Sequence, residues 1–180
     1  MTAPDGSRRS PTRVGSLPRP VAPRPVPVGS PYRVVMVCSS GGHLAQLLEL
    51  RPWWEGLDRT WVCPDTADVR SALAGEDVVT GHHPTTRNLG NLLRNLVLAV
   101  RLLREVRPDV VVSDGAGVAV PFFWVAWLLG VRTAYLEVYD RVDGPTLTTR
   151  LVAPVTDLML AQWPGQRDAL AGSVLAGPVY

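Results

Sequence analysis

Residues 33–50 of the chain read RVVMVCSSGGHLAQLLEL. The first part of this stretch is an apolar, β-branched run that ends at Cys38, and the part after His43 repeats leucine at helical spacing. The serines and glycines between them are turn residues. This order predicts a buried strand, a tight turn and a helix, which is the repeating unit of a parallel sheet covered by helices.

The same alternation continues along the rest of the chain. Strands are predicted at 33–38, 60–63, 77–80, 109–113, 132–137, 157–161 and 173–176. Helices are predicted at 43–55, 66–74, 88–106, 117–129, 147–154 and 164–171. We therefore expect an α/β fold with a Rossmann-like, doubly wound parallel sheet, whose ligands bind beyond the carboxyl ends of the strands.

The composition divides the chain in two. The first 30 residues hold seven prolines, five arginines and one acid. We expect residues 1–31 to be a disordered tail without the apolar core of a signal peptide, and residues 32–180 to form one domain. Because the tail holds most of the positive charge, the domain is not basic, which disfavours nucleic-acid binding. We interpret Cys38 and Cys63 as buried free thiols of a reducing cytoplasm.

The loop between the first strand and the first helix contains Ser39, Ser40, Gly41 and Gly42, followed by His43. Glycines let a ligand approach the backbone, and the free amides at a helix start favour a phosphate or diphosphate. The spacing does not match the dinucleotide-binding fingerprint, whose glycines stand at the first, third and sixth positions. A tight turn that binds nothing would contain the same residues, so both interpretations stay open.

Two later loops also follow predicted strands. One contains Asp114, Gly115 and Gly117, and the other begins with Glu137 and includes Arg141. The first loop is either a second anion site or a packed turn. Glu137 lies at the ligand edge of the sheet if the strand assignment holds, although it could equally pair with Arg141.

Two apolar segments raise the question of a membrane. Residues 118–131 form a charge-free run that is shorter than the roughly 20 residues that a membrane span requires. Trp124 and Trp127 in this run are compatible either with a core helix or with a membrane interface. The preceding helix has an apolar stripe and a polar face, typical of a helix that covers a sheet or lies on anionic lipid. The stripe comprises Leu89, Leu92, Leu93, Leu96, Val100 and Leu103, and the polar face comprises Arg87, Asn88, Asn91, Arg94, Asn95, Arg101 and Arg104. We predict that Arg94, Arg101, Trp124 and Trp127 face the membrane.

These loops, in this order, resemble the asparagine-linked-glycosylation Alg14 family and its bacterial exopolysaccharide counterparts, the PssD and CpsF-like proteins. The resemblance spans residues 33–180 and is carried by residues 40–43, 109–121, Glu137 with Arg141, 147–148 and 157–164. Residues 176–180 also look like the carboxyl end of that family, so no truncation is expected there. The family often has Ala, Gly and Lys where this chain has Asp140, Thr149 and Arg150.

The resemblance implies the acceptor-side half of a GT-B glycosyltransferase, similar to the amino-terminal half of MurG. A separate small partner chain would bind the UDP-sugar, and activity would require both chains. The pair would move N-acetylglucosamine or a related hexose to a lipid-linked acceptor in polysaccharide or oligosaccharide biosynthesis. The chain would lie peripherally on the cytoplasmic face of the cell membrane. No metal or cofactor is expected.

Glycosyl transfer needs a base for the acceptor hydroxyl. The candidates are His43, Glu137 and Asp114, with His82 and His83 as weaker ones, and the preferred base is His43. Its place at a helix start is expected to favour the neutral imidazole, and Glu137 is expected to face the same cleft. Two alternatives remain: a self-sufficient nucleotide-binding Rossmann protein, and a non-catalytic membrane scaffold that recruits the catalytic partner.

Overall fold

The computed structural model describes residues 10–26, 31–85, 88–142 and 144–180. Its strands are β1 (Thr12–Arg13), β2 (Arg33–Val37), β3 (Asp58–Cys63), β4 (Asp77–Thr80), β5 (Val110–Ser113), β6 (Arg132–Leu136), β7 (Leu158–Ala161), β8 (Leu170–Ala171) and β9 (Val174–Leu175). Its helices are α1 (Gly42–Glu49), α2 (Arg51–Trp54), α3 (Ala67–Ala72), α4 (Leu89–Val106), α5 (Ala119–Leu128), α6 (Leu147–Val152) and α7 (Pro164–Ala169), and a 3-10 turn (Ala153–Val155) follows α6.

Each predicted strand and helix corresponds to an observed one, with one break. The helix predicted at 43–55 is two helices, because Pro52 in the first turn of α2 has no N–H with which to continue the hydrogen bonding of α1. The last predicted helix is shorter than expected, since its final residues enter β8.

The main sheet has seven parallel strands in the order β4-β3-β2-β5-β6-β7-β9. The chain first runs outward from β2 to β4, returns to β5 beside β2, and then runs outward to β9. The predicted doubly wound sheet is thus confirmed, and the direction of winding reverses between β2 and β5. Val37 of β2 is in register with Ser113 of β5, so the two loops that follow these strands start side by side.

Both faces of the sheet are buried, as alternation along β2 illustrates. Val35 and Val37 pack in a cluster with the helices α4 and α5, whereas Val34 and Met36 pack on the opposite face with α1, α2 and α3. A parallel sheet covered on both faces needs continuous apolar strands, which explains the VVMV run. Truncating a fully buried residue of α5, such as Phe122, to alanine is expected to cost about 3–5 kcal/mol.

The prediction of a disordered tail is wrong for residues 10–26. β1 pairs in parallel with β8, and the Val14 and Gly15 N–H groups donate to the carbonyls of Ala171 and Ala153. Arg19 donates to Asp157 and to the Val131 carbonyl. Backbone and arginine hydrogen bonds hold this segment, so it needs few apolar residues, and composition alone could not reveal it. Residues 1–9 and 27–30 of the predicted tail lie outside the described residues.

The faces of α4 are as predicted only in part: Leu103 is buried and the described arginines of the polar face are exposed, but two asparagines of that face point inward. Asn91 and Asn95 are buried: the Asn91 side chain donates to the Pro84 carbonyl, and Asn95 bonds both the N–H and the carbonyl of His82. These asparagines turn inward because they satisfy the backbone of the preceding loop, so the leucines beside them turn outward. The exposed apolar residues of α4 are Leu89, Leu92, Leu93, Leu96 and Val97. Arg87, assigned to the polar face, lies outside the described residues.

The remaining fold predictions concern cysteines and membrane spans. Cys38 and Cys63 are free and buried as expected, with their Sγ atoms 3.4 Å apart across β2 and β3. Within the described part of the chain, no helix combines the length and the apolarity that crossing a bilayer requires.

Candidate functional site

A cleft of about 440 Å³ lies at the carboxyl ends of the strands. It is lined by Gly42, His43, Gln46, Asp114, Val138, Tyr139, Asp140 and Tyr180. These residues come from α1, which follows β2, from the loops after β5 and β6, and from Tyr180. The ends of β2 and β5 flank the point where the sheet reverses its winding. A crevice at this point is the usual ligand site of a doubly wound sheet.

A histidine and a buried carboxylate meet in this cleft. Nδ1 of His43, in the first turn of α1, lies 3.2 Å from Oδ2 of Asp114, the residue that follows β5. Asp114 has no exposed surface, whereas about a quarter of the His43 side chain (27%) is exposed. The imidazole N–H does not point straight at the carboxylate, so the contact is a close ionic approach and not a well-aligned hydrogen bond.

The pKa values of both groups are raised, for different reasons. Burial raises the pKa of Asp114 to about 6, and His43 only partly offsets that rise. Burial lowers the pKa of His43, but the contact with Asp114 and its charge outweigh burial, so the net His43 pKa is raised. The direction of this shift is opposite to the one expected from the helix start, because the effect of the nearby carboxylate is larger.

Gly115 makes the approach of His43 to Asp114 possible. A Cβ at this residue would lie 2.8 Å from Cε1 of His43 and 3.1 Å from the hydroxyl of Tyr135. Its φ of +135° also belongs to the region that favours glycine. The packing explains why glycine is needed at this position, because it lets the imidazole lie beside the carboxylate, and the second anion site predicted for this loop stays a prediction.

The first loop lies at one edge of the cleft, but it makes a bond that the sequence did not suggest. The Gly41 N–H donates to the carboxylate of Asp68, at 2.9 Å. The Ser39 hydroxyl donates to the Ser40 carbonyl at 3.3 Å, and both serines are half-buried. One amide of the predicted anion site therefore already binds a carboxylate of the same chain, and only Gly42 of these four residues lines the cleft.

Glu137 lies behind the cleft and not in its wall. It has no exposed surface and is absent from the lining, so the prediction that it faces the same cleft as His43 is wrong. Its Oε1 accepts from the Val138 N–H, and its Oε2 has no well-aligned partner among the described residues. Burial raises the pKa of Glu137, and the nearby Thr149 hydroxyl and Arg141 charge only partly offset it. Arg141 itself is exposed and forms no ion pair with Glu137.

Three buried glutamines hold the loop that carries Glu137, and sequence reasoning missed them. Gln162 donates to the Glu137 carbonyl at 2.7 Å and to Gln46 at 3.1 Å. Gln46 in turn accepts from the Tyr139 N–H at 2.9 Å. Gln166 donates to the Val138 and Arg141 carbonyls at 2.8 and 2.7 Å. The sequence contained one clue to their role. The chain has three glutamines, and one of them, Gln162, directly follows the strand predicted at 157–161.

Aromatic rings form another wall of the cleft. The Tyr139 ring lies 5.1 Å from those of Trp163 and Tyr180, edge to face in both cases. The Trp163 indole N–H donates to the Tyr139 carbonyl at 2.8 Å. These contacts orient Tyr139, which stays partly exposed on the cleft side.

The four residues predicted to face the membrane are not brought together. Trp124 and Trp127 are half-buried against the core and contact each other edge to face at 5.9 Å, and the Trp124 indole donates to the Leu151 carbonyl. Arg94 and Arg101 are exposed on α4. The membrane-facing assignment of the two tryptophans therefore stays a prediction, and the exposed apolar side chains nearby are those of α4, Leu128 of α5, and Leu147 and Leu151 of α6.

His82 and His83 do not join the cleft, and the backbone of His82 is bonded to Asn95 instead. The residues that the structure describes contain no group of three or more His, Cys, Asp or Glu side chains able to hold a metal ion.

Comparison with known proteins agrees with this architecture. The family described as "Oligosaccharide biosynthesis protein Alg14 like" matches residues 81–179. The UDP-N-acetylglucosamine transferase subunit ALG14 of Rattus norvegicus is 25% identical over 191 residues, which cover 89% of this chain and 86% of the relative. The Homo sapiens subunit of the same name is 28% identical over 177 residues, covering 81% and 82%.

Among solved structures, MurG of Acinetobacter baumannii superposes with a TM-score of 0.66 at 20% identity. The match covers 80% of this chain and 45% of MurG, so the chain spans less than half the length of that enzyme. At this identity the likeness speaks for the fold alone. The family match, by contrast, extends over more than half of the sequence, and this protein belongs to the Alg14-like family of oligosaccharide biosynthesis proteins.

Proposed function

We propose that this protein is the acceptor-binding subunit of a two-chain glycosyltransferase. In this proposal a separate small chain holds the UDP-sugar, and the pair transfers N-acetylglucosamine or a related hexose to a lipid-linked acceptor in polysaccharide or oligosaccharide biosynthesis. The names of the rat and human relatives, which are UDP-N-acetylglucosamine transferase subunits, support the sugar and the need for a partner. The observation that carries the proposal is the His43–Asp114 pair in the cleft beside the switch point.

In the proposed reaction His43 is the general base. Because Nδ1 faces Asp114, the other ring nitrogen, Nε2, is left to take a proton from the acceptor hydroxyl. The hydroxyl oxygen then forms a bond to the anomeric carbon of the sugar while the bond from that carbon to the diphosphate breaks, and UDP leaves with the electron pair. Asp114 is a positioning residue that orients the imidazole and stabilises the imidazolium as it forms.

We further propose that the loops around the cleft bind the diphosphate of the acceptor. The residues that the sequence assigns to this diphosphate site are Ser39, Ser40, Gly41, Gly42, Asp114, Gly115, Gly117 and Arg141. The structure changes the role of two of them. The Gly41 amide is occupied by Asp68, and Asp114 serves His43. The exposed Arg141 supplies positive charge at the rim, which favours a diphosphate there. Glu137 is assigned to holding its loop, since its side chain does not reach the cleft.

The test of the two-chain proposal separates it from its alternatives. Isothermal titration of the isolated chain with UDP-N-acetylglucosamine is expected to show no binding, and the isolated chain is expected to be inactive. Adding a co-purified small partner chain should restore both binding and transfer. Transfer by the isolated chain would contradict the proposal, and a partner that is fully active alone would make this protein a scaffold.

We also propose that the chain lies peripherally on the cytoplasmic face of the membrane, with α4 toward the lipid. Its exposed leucines supply apolar surface, and Arg94 and Arg101 supply charge for anionic headgroups. Flotation with vesicles should require anionic lipid and weaken when both arginines become glutamate. Arg70→Glu is the matched control, because Arg70 is an exposed arginine of α3 on the other face of the sheet. No flotation with any lipid composition would remove this part of the proposal.

A further inference from the structure

A cavity of about 300 Å³ lies at the edge of the sheet opposite the cleft. It forms where α4 ends, just before β5, and where α5 ends, just before β6. Helices that return between parallel strands end at the amino edge of the sheet, so this cavity is separate from the cleft at the carboxyl edge. We call it the arginine pocket, after three of its five lining residues, which are Arg24, Leu103, Arg104, Arg107 and Leu129.

The arginine pocket concentrates positive charge from two distant parts of the chain. Arg104 and Arg107 belong to the end of α4, whereas Arg24 comes from the segment at 10–26. Among the residues that the structure describes, none of these three guanidinium groups forms an ion pair. By contrast, Arg19 and Arg59 are each paired with a carboxylate. The three arginines of the pocket are thus available to a ligand.

No carboxylate of the described residues lines the pocket. Glu105 adjoins Arg104 in sequence but lies outside the lining, and Asp109 accepts the Arg33 N–H at 2.9 Å. The carboxyl end of a helix carries about half a negative charge, which explains arginine in the last turn of α4. It does not explain Arg24, which belongs to another segment, and it does not balance three full positive charges. An anion would neutralise this excess.

The backbone of Arg107 is a second indication of a ligand. Its φ of +50° lies in the left-handed region, where helices usually end on glycine or asparagine. An arginine in this conformation is strained, and its side chain forms no ion pair with the described residues that would offset the strain. A phosphate would supply that interaction, because the N–H groups of a planar guanidinium match the spacing of phosphate oxygens.

Close packing places Arg24 at the pocket. The segment that carries it crosses directly over Gly130, where a Cβ would lie 2.8 Å from the Ala22 carbonyl oxygen and 3.0 Å from Cγ1 of Val21. The φ of Gly130 is +69°, which also favours glycine. The backbone is therefore fixed two residues before Arg24, and the pocket does not need a ligand to assemble.

We propose that the arginine pocket binds a multiply charged phosphate group and thereby ties the segment at 10–26 to the end of α4. The phosphate belongs either to a free phosphorylated compound or to an anionic lipid headgroup, two sources with the same chemistry. A multiply charged group is favoured over a single carboxylate because three guanidinium groups line one small cavity. This site is separate from the cleft, so the proposal does not depend on the proposed function.

Isothermal titration of the full isolated chain with inorganic pyrophosphate, at constant ionic strength, is the first test. Pyrophosphate should bind saturably, and Arg104→Gln with Arg107→Gln should weaken binding about tenfold or more, because two charge-assisted contacts are lost. The matched control, Arg101→Gln with Arg132→Gln, removes the same charge from exposed residues outside the pocket and should bind as the unaltered protein does.

Three results of this titration would overturn the proposal. They are no saturable binding, equal weakening in both double variants, and full binding by the pocket variant, which would assign the pyrophosphate to the cleft.

A glycine variant separates binding from folding. Arg107→Gly suits the left-handed backbone, so the melting temperature should stay nearly unchanged while pyrophosphate binding weakens. If Arg107→Gly binds pyrophosphate as tightly as the unaltered protein, this arginine does not contact the anion and the proposal is wrong.

Hydrogen exchange tests the tie between the segment and α4. The Leu17 N–H donates to the Pro154 carbonyl at 3.1 Å, so its exchange reports opening of the segment. With pyrophosphate at about ten times its Kd, this exchange should slow about tenfold, and Arg24→Gln should abolish the effect. Exchange that does not respond to pyrophosphate would contradict the tie.

Vesicle flotation then identifies the source of the phosphate. Phosphatidylcholine vesicles that contain phosphatidic acid, whose headgroup is a phosphate monoester, are compared with vesicles that contain phosphatidylserine at the same surface charge. If the source is a lipid headgroup, the pocket variant should float less than the control variant with phosphatidic acid only. If the source is a free compound, the two variants should float alike with both vesicles, and either result keeps the site. Equal loss on both vesicles in the pocket variant would show a general attraction of charge and overturn the assignment to phosphate.

Discussion

Two buried carboxyl groups at the ends of neighbouring strands differ in what surrounds them. Asp114, after β5, has a histidine 3.2 Å away that reaches the open cleft. Glu137, after β6, is enclosed by a backbone amide, a threonine and three glutamines that hold its loop. Burial raises the pKa of both. Only Asp114 can influence a proton at the surface of the cleft, so burial by itself does not identify a catalytic carboxylate.

The largest expected effect is a loss of turnover when His43, the partner of Asp114, is removed. His43→Ala should lower turnover of the assembled pair roughly 100-fold to 10,000-fold, the usual contribution of a general base. Glu137→Gln should have a smaller effect, because its side chain does not reach the cleft. Single-turnover assays measure both, and pull-down of the partner checks that each variant still assembles. A nearly inactive Glu137→Gln beside a mild His43→Ala would reverse the assignment, and loss of assembly in both would make the residues structural.

The next prediction tests whether Asp114 orients the imidazole of His43 or has only a structural role. Asp114 raises the pKa of His43, so Asp114→Asn should lower that pKa. If the neutral imidazole is the base, as we propose, kcat/KM should rise with pH through the His43 pKa. The acid limb of the pH profile should therefore move to lower pH in the variant, with a lower plateau. An unchanged acid limb would show that the carboxylate does not control this imidazole.

A third effect concerns the glutamines on the Glu137 side. Gln162→Met keeps the volume but removes the donor to the Glu137 carbonyl and the acceptor for the Val179 N–H. The buried Glu137 carbonyl then keeps only a longer 3.4 Å contact from Gln46, and the partly buried Val179 N–H loses its partner, so the free energy of unfolding should fall by about 1–3 kcal/mol. Chemical denaturation measures this change. Leu158→Met, at a partly exposed residue of β7 four positions earlier, is the control and should change stability little.

The smallest expected effect is a pH dependence of stability. The folded pKa of Glu137 is raised above the ordinary value of 4.5, so its contribution to stability is greatest at low pH and is lost as the pH rises through the folded pKa. Glu137→Gln cannot ionise, so its melting temperature relative to the unaltered protein should improve from pH 4.5 to pH 8. Glu49→Gln, at an exposed carboxyl, should show no such trend. A parallel pH dependence in all three proteins would contradict the raised pKa.

Much of the fold was predictable because strand and helix periods are local properties. The run from Val34 to Val37 is apolar at every position, which only a strand buried on both faces requires. His43 and Asp114 were both candidates because loops after neighbouring parallel strands converge. Their contact was not predictable, since it depends on the absence of a side chain at Gly115 and on the register of β2 with β5.

Periodicity failed where side chains bond to a distant backbone. The apolar stripe predicted the wrong inward face for the first half of α4, because Asn91 and Asn95 have their partners in the loop at 82–84. The segment at 10–26 was assigned to a disordered tail because its stabilising bonds go to β8, to residues 153–154 and to Asp157. Such partners leave no trace in local composition.

The sequence by itself determined the parallel α/β sheet, the order of its elements and the loops that form the cleft, since these follow from local period and from the convergence of strand ends. Tertiary structure alone decided which carboxyl meets His43 and which face of the first half of α4 is exposed. The physical reason is the same in each case. A polar side chain faces the partner that satisfies its hydrogen bonds once water is excluded, and that partner is known only when the chain has folded.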